Sequence, residues 1–386
     1  MRVGLAIAIA ALLLGLASLP MQGQMRAGDV PALEAIHMVD RQAGWAVTDP
    51  RYVSLLLRTT DGGTYWRDVT PLRPSGRKIR VWKILVLSSH IAWVTPGDTI
   101  REGTTEIFRT IDGGRTWRSV AIPARTVKSI SFINPREGWL VASVAAYSGS
   151  DEVEIYRSTD GGETWVKVGS ATRDNASNGL PTEGDKSAIT FLNPATGWIT
   201  GVTLASNRLY LYVTHDRGNT WRQQNMPLPR ELTPHWKGFP QSPTFFTARD
   251  GILPAFYDLF NDSGGEIGRV VVLYVTHDGG TTWTHNAPVR VKASDVVYQE
   301  VADMNRAWVT NGRVLHVTND GGRRWMTMRP GSLFADVTQL DFISSRIGWA
   351  VRNTALYGGT PKFPFLLRTL DGGRTWTPVN YTMLRQ

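Results

Sequence analysis

Glu300 and Asp341 are this chain's candidates for bond-breaking chemistry. They fall at the same place in neighbouring repeats when those repeats are aligned on a recurrent Gly-Trp phrase. Two carboxylates so placed could act as acid and base, or acid and nucleophile, across a glycosidic bond. The aligned position reads His37, Leu85, Ser131, Thr190 and Thr244 in the other repeats, so no arginine joins the pair to hold an acidic sugar. The 7 histidines show no His-x-His or His-x3-His spacing, and no Gly-x-Ser-x-Gly elbow occurs. With 0 Cys, thiol catalysis and Cys-ligated metals are excluded. No metal and no cofactor is expected.

Groups suited to binding are more numerous. Arg73, Arg77, Lys78, Arg80 and Lys83 form a basic cluster that would suit a phosphate, a carboxylate or an acidic protein patch. Asp151, Glu152 and Glu154 oppose it in charge further along. His235 and Trp236, then Phe256 and Tyr257, put aromatic groups in segments that read as long loops, where they would serve as interface anchors. Arg58, Arg109, Arg157 and Arg368 recur three residues before a conspicuous Asp, while Val213, Val275 and Val317 take that place in other repeats. A one-sided basic surface for an acidic partner would account for this, and so would drift between repeats.

The elements that position these groups follow from a phrase of the form Thr-x-Asp-Gly-Gly-x-Thr-Trp. Its Asp residues are Asp61, Asp112, Asp160, Asp216, Asp278, Asp320 and Asp371, and its Trp residues are Trp66, Trp117, Trp165, Trp221, Trp283, Trp325 and Trp376. Asp-Gly-Gly between two β-prone runs is hairpin chemistry, since Gly accepts positive φ and Asp can accept hydrogen bonds from the turn. The Trp opens the return strand as an apolar anchor. Upstream lies the second phrase, as in Gly44-Trp45-Ala46-Val47 and Gly138-Trp139-Leu140-Val141, preceded by another apolar run. Gly251-Ile252-Leu253 takes its place in the fifth unit, without the Trp.

One unit is therefore four antiparallel strands, A to D, with the Gly-Trp phrase on B and the Asp turn between C and D. The spacing predicts an all-β, seven-bladed β-propeller. The A–B and C–D turns are short and uniform and share one face, which reads as scaffold. The B–C and D–A connections share the other face, vary in length and chemistry, and are the expected working surface.

Residues 1–24 combine one early positive charge, an apolar stretch from Val3 to Leu19 and a polar exit, the pattern of a secretory signal that could also stay as an uncleaved anchor. Residues 25–386 then form a single propeller domain. Export to the periplasm, the extracellular space or the outer face of a membrane is expected, which makes nucleic acid a poor partner. The net charge of +9 favours acidic partners or anionic membranes. A monomer is expected.

The Asp phrase resembles the Asp-box (BNR) repeat of sialidases, sortilin-type receptors and some glycoside hydrolases. Paired with the Gly-Trp-Ala-Val phrase at blade spacing, the chain after its leader resembles the photosystem II stability and assembly factors and their bacterial relatives, which are exported seven-bladed propellers. Arg217 replaces the first Gly of the fourth box, and Tyr65 and Arg324 replace Thr in the first and sixth. The resemblance implies a non-catalytic scaffold that binds a protein partner, a membrane-complex subunit during assembly, with the Asp boxes structural. A glycoside hydrolase, sialidase-like or carbohydrate-binding propeller is the alternative.

Overall fold

The computed structural model describes residues 31–384 except 50–53, 98–102, 148, 174–177, 204, 206, 293–295 and 353–364. The expected leader, residues 1–24, lies outside the described residues. Seven antiparallel sheets follow one another along the chain, each a blade built in the order A-B-C-D. The A strands, innermost in each blade, are Leu33–Met38, Val81–Val86, Thr126–Phe132, Asp185–Phe191, His235–Pro240 continued by Thr244–Phe245, Tyr298–Val301 and Val337–Phe342. The chain is a seven-bladed propeller of Asp-box repeats.

Two blades depart from four strands. In blade 1 the C-terminal segment Thr382–Met383 adds a fifth strand, parallel to Tyr65–Asp68 on the outer edge. Buried Tyr381 locks that tail by donating its hydroxyl to the Pro31 carbonyl. In blade 5 strands B and C, Gly251–Phe260 and Glu266–Thr276, form a tall hairpin flanked by His235–Pro240 and Val289–Val291. The stretch from Pro254 to Gly268, expected as a loop, is thus mostly sheet. Alternation along Ala255-Phe256-Tyr257-Asp258-Leu259-Phe260 sends one face into the blade 4–5 core. Likewise Gly138–Tyr147 and Ser150–Ser158 of blade 3 form a tall hairpin.

Each Gly-Trp phrase is a seam between blades. Trp93, Trp139, Trp198 and Trp308 on strand B of one blade stack on Phe132, Phe191, Phe245 and Phe342, which end strand A of the next, with ring centroids 3.7, 3.8, 5.0 and 3.6 Å apart. The phrase needs glycine because that Phe ring lies over it: a Cβ on Gly138 would sit 2.6 Å from Phe132, and one on Gly348 would sit 2.4 Å from Phe342. Where strand A ends in Val86 or Val301 instead, the residue before the Trp is Ala92 or Ala307. Blade 5, which lacks the Trp, packs Ile252 on Val301 at the next seam. The Gly–Phe and Ala–Val pairs match in size between strands A and B of one blade, as close packing demands.

Candidate functional site

The seven Asp carboxylates are spent inside their own turns. In blade 2, Asp112 accepts from the Thr116 amide at 2.9 Å and hydroxyl at 2.6 Å, while Thr110 donates to Asp112 and accepts from the Gly114 amide. The pattern repeats at the other boxes, with Ser158 in the place of Thr110 in blade 3, except that Tyr65 and Arg324 give Asp61 and Asp320 an amide but no hydroxyl. Desolvation pushes the Asp112 carboxyl up, but the bonds from Thr116 and Thr110 outweigh it and hold it down at about 2. Asp278, whose main influence is the bond from the Thr282 hydroxyl, is also lowered to about 2. Of the box tryptophans, Trp66, Trp221, Trp283 and Trp376 are buried, whereas Trp117, Trp165 and Trp325 are half-buried.

The boxes also receive the seams. The indole N–H of Trp93 donates to the Gly161 carbonyl at 2.9 Å, Trp139 to Arg217 at 2.9 Å, Trp308 to Gly372 at 3.0 Å and Trp349 to Gly62 at 3.2 Å, each in the next blade's box. Gln224 relays the bond from Trp198 to Gly280, and Asn286 supplies the donor to Gly321 at the seam without a Trp. The strand C arginines belong to this system. Arg58, Arg109, Arg157 and Arg368 pair across the sheet from Trp45, Trp93, Trp139 and Trp349. Arg109 reaches Glu163 of the blade 3 box at 3.2 Å, and Arg58 donates to the Ser89 carbonyl of blade 2 at 3.1 Å. In blade 6, Arg306 from the A–B turn lies over the Trp308 ring at 5.3 Å instead. Arg58 and Arg109 thus pin neighbouring blades together, while Arg157 pairs with Glu137 of its own blade at 2.5 Å.

Glu300 and Asp341 do share a ring position: they pair with Trp308 and Trp349, as His37, Leu85, Ser131 and Thr190 pair with Trp45, Trp93, Trp139 and Trp198. That position faces the next blade's innermost edge. Asp341 accepts the Met38 amide at 2.5 Å and lies 3.4 Å from His37 Nδ1, and Ser131 likewise accepts the Phe191 amide at 3.1 Å. Two residues earlier, Gln339 bonds both the amide and the carbonyl of Ile36 at 2.7 and 2.8 Å. Asp341, 3 % exposed, thus helps close the ring between blades 7 and 1 and is not presented to a substrate.

The basic cluster separates into three kinds of group. Arg73 pairs with Glu106 at 2.9 Å and Lys78 with Asp68, so both are committed within the blade 1–2 region. Lys83 lies on strand A and donates to the Lys128 carbonyl of blade 3; burial, then Lys128, pushes its ammonium down to about 8. Arg77 and Arg80 are exposed on the variable face. Among the aromatic anchors, Trp236 and Tyr257 belong to the core: they are 5 % and 0 % exposed, and Tyr257 shares a hydrogen bond with Tyr274 at 2.5 Å. As buried strand residues they cannot reach a partner. His235 is exposed at the strand end, 3.6 Å from Asp262, and Phe256 is half-buried against blade 6. Sequence reasoning missed Trp82, which is 40 % exposed on an innermost strand where Val81, Ile84, Leu85 and Val86 are buried. Among the described residues, no group of three or more His, Asp or Glu is placed to hold a metal ion.

The BNR/Asp-box repeat family matches residues 156–167. No curated protein sequence matches the chain. Among solved structures, YCF48 bound to a D1 peptide superposes with a TM-score of 0.53 at 13% identity, covering 92% of this chain and 96% of that one. The extracellular domain of a putative hybrid two-component system from B. thetaiotaomicron gives 0.37 at 10% identity, over 94% of this chain and 56% of that one. A polysaccharide lyase of the ulvan lyase type gives 0.39 at 9% identity, over 78% of each chain. The resemblance to the photosystem II assembly factors holds at the level of fold.

Proposed function

We propose that this chain is a non-catalytic propeller that binds a protein partner, a subunit of a membrane complex under assembly, on the outer side of a membrane. The observation that carries the reading is the shared architecture, over nearly the whole of both chains, with a propeller captured with a bound peptide. Two features of the chain agree with it. The carboxylate pair that a glycosidase would need loses Asp341 to ring closure. Arginines exposed on the variable face, Arg77 and Arg80 among them, suit an acidic partner, consistent with the net charge of +9.

The test is capture from detergent-solubilised membranes of the source organism at low and high salt, read by mass spectrometry. Arg77→Glu with Arg80→Glu serves as the comparison, because reversing Arg73 or Lys78 would break ion pairs of the fold. Specific subunits recovered at low salt, and lost in the reversed variant, are expected. Recovery no different from that of an unrelated propeller would contradict the reading.

A further inference from the structure

Five of the seven innermost strands are interrupted by a β-bulge at the same height. Glu34, Trp82, Lys128, Ser187 and Thr338 are each skipped in the pairing with strand B, between Leu33 and Ala35, Val81 and Lys83, Val127 and Ser129, Lys186 and Ala188, and Val337 and Gln339. Each stands three residues before the ring position that pairs with its blade's Trp. In blade 5 strand A breaks between Pro240 and Thr244 at this height, and in blade 6 it begins at Tyr298. A bulge takes its extra residue out of the ladder and re-aims the side chain. Repeated around the axis, the device sets a collar of unlike residues near the start of the inner strands, on the face away from the Asp boxes; Trp82 is exposed, Glu34, Lys128 and Ser187 are half-buried and Thr338 is buried.

Trp82 differs from other members of the collar and from the positions below it. Gln339, Asp341, Ser131 and Lys83 are spent on the backbone of the neighbouring blade. Lys128 is held by Asp185 at 2.6 Å and Asp151 at 3.2 Å. Trp82 instead leaves its indole open to solvent, with exposed Arg80 two residues before it and exposed Arg77 in the preceding turn. An exposed aromatic beside cations is the composition of an interface anchor.

Building on the protein-binding reading, we propose that the bulge collar is where the partner docks. Its occupant is an extended peptide segment that lays a large apolar side chain on Trp82 and directs a carboxylate at Arg77 and Arg80. The long loops are then not the primary contact. A closed ring of short strands keeps the collar rigid, so little is lost to ordering the receptor on binding.

The experiment pans a phage-displayed library of random linear heptapeptides against the whole chain, then re-measures the selected clones on three variants. Trp82→Ala removes the platform, Arg77→Glu with Arg80→Glu reverses the flank, and Ile111→Ala changes a still more exposed apolar residue on the Asp-box face. Expected clones carry a large apolar residue close to Asp or Glu. Trp82→Ala should lower their capture by about tenfold or more, as for aromatic anchors generally, and the reversed pair should also lose them, while Ile111→Ala retains them. Clones held equally by Trp82→Ala and the parent chain would overturn the collar site and leave peptide binding standing. Failure of the parent chain to enrich any clone over a bare support would overturn both.

Discussion

Trp139→Ala tests the seam logic at its strongest point. The substitution removes a side chain with 0 % exposure, a ring stacked on Phe191 at 3.8 Å and 8°, and a 2.9 Å hydrogen bond to the Arg217 carbonyl. Truncating a buried Trp to Ala costs about 3–5 kcal/mol. Within that figure the stacked geometry accounts for ~0.5–1.5 kcal/mol beyond burial, and the indole hydrogen bond for ~1 kcal/mol. Half-buried Trp165, whose indole N–H has no hydrogen-bond partner among the described residues, should lose roughly half as much on truncation, in proportion to its smaller buried area. Urea unfolding followed by far-UV circular dichroism measures each loss, and adding Phe191→Leu completes a double-mutant cycle. Coupling of about 1 kcal/mol between positions 139 and 191 is expected. A loss below about 1.5 kcal/mol for Trp139→Ala, or strict additivity with Phe191→Leu, would refute the claim that these stacks join the blades.

Gly138→Ala should destabilise by ~1–3 kcal/mol because the new methyl meets the Phe132 ring; Phe132→Val removes that clash but also the stack on Trp93, so the two changes together should cost less than the sum of each alone, and thermal melts of the single and double variants check this. Stability should fall as pH drops from about 4 to about 2: the box carboxyls of Asp112 and Asp278 are depressed to about 2, so their contribution is complete above the unfolded value near 4 and lost as they protonate. Melting temperature against pH, with Asp278→Asn showing a shallower fall, reads that out. Removing residues 380–386 should open the blade 1 edge and lower the melting temperature, since it deletes buried Tyr381 and the Thr382–Met383 strand; an unchanged melt would show that the ring closes without them.

The repeat phrases made the blades legible, because Asp-Gly-Gly and Gly-Trp mark fixed places in a four-strand unit. Alignment on them placed His37, Glu300 and Asp341 in one ring, and the strand register agrees. What that ring does was not legible. Whether Asp341 faces a substrate or the Met38 amide depends on the neighbouring blade, some 300 residues away in sequence. The seam did leave a trace: Phe132, Phe191, Phe245 and Phe342 each stand six residues before the Gly, and Val86 and Val301 six before an Ala. Tyr257 and Trp236 read as loop residues because long hairpins and long loops look alike between turn signals, although the alternation around Tyr257 marks a strand. The bulges left no signal, since a single unpaired residue does not change composition.

The most direct test of the account is site-specific photo-crosslinking in native membranes. A photoreactive phenylalanine analogue would replace Trp82 or Arg77 on the variable face, and Arg323 or Arg374 in the Asp boxes, with adducts identified by mass spectrometry. The account predicts one membrane-complex subunit joined to the variable-face positions and absent from the Asp-box positions. Adducts formed mainly through Arg323 or Arg374, or at none of the four positions, would contradict it.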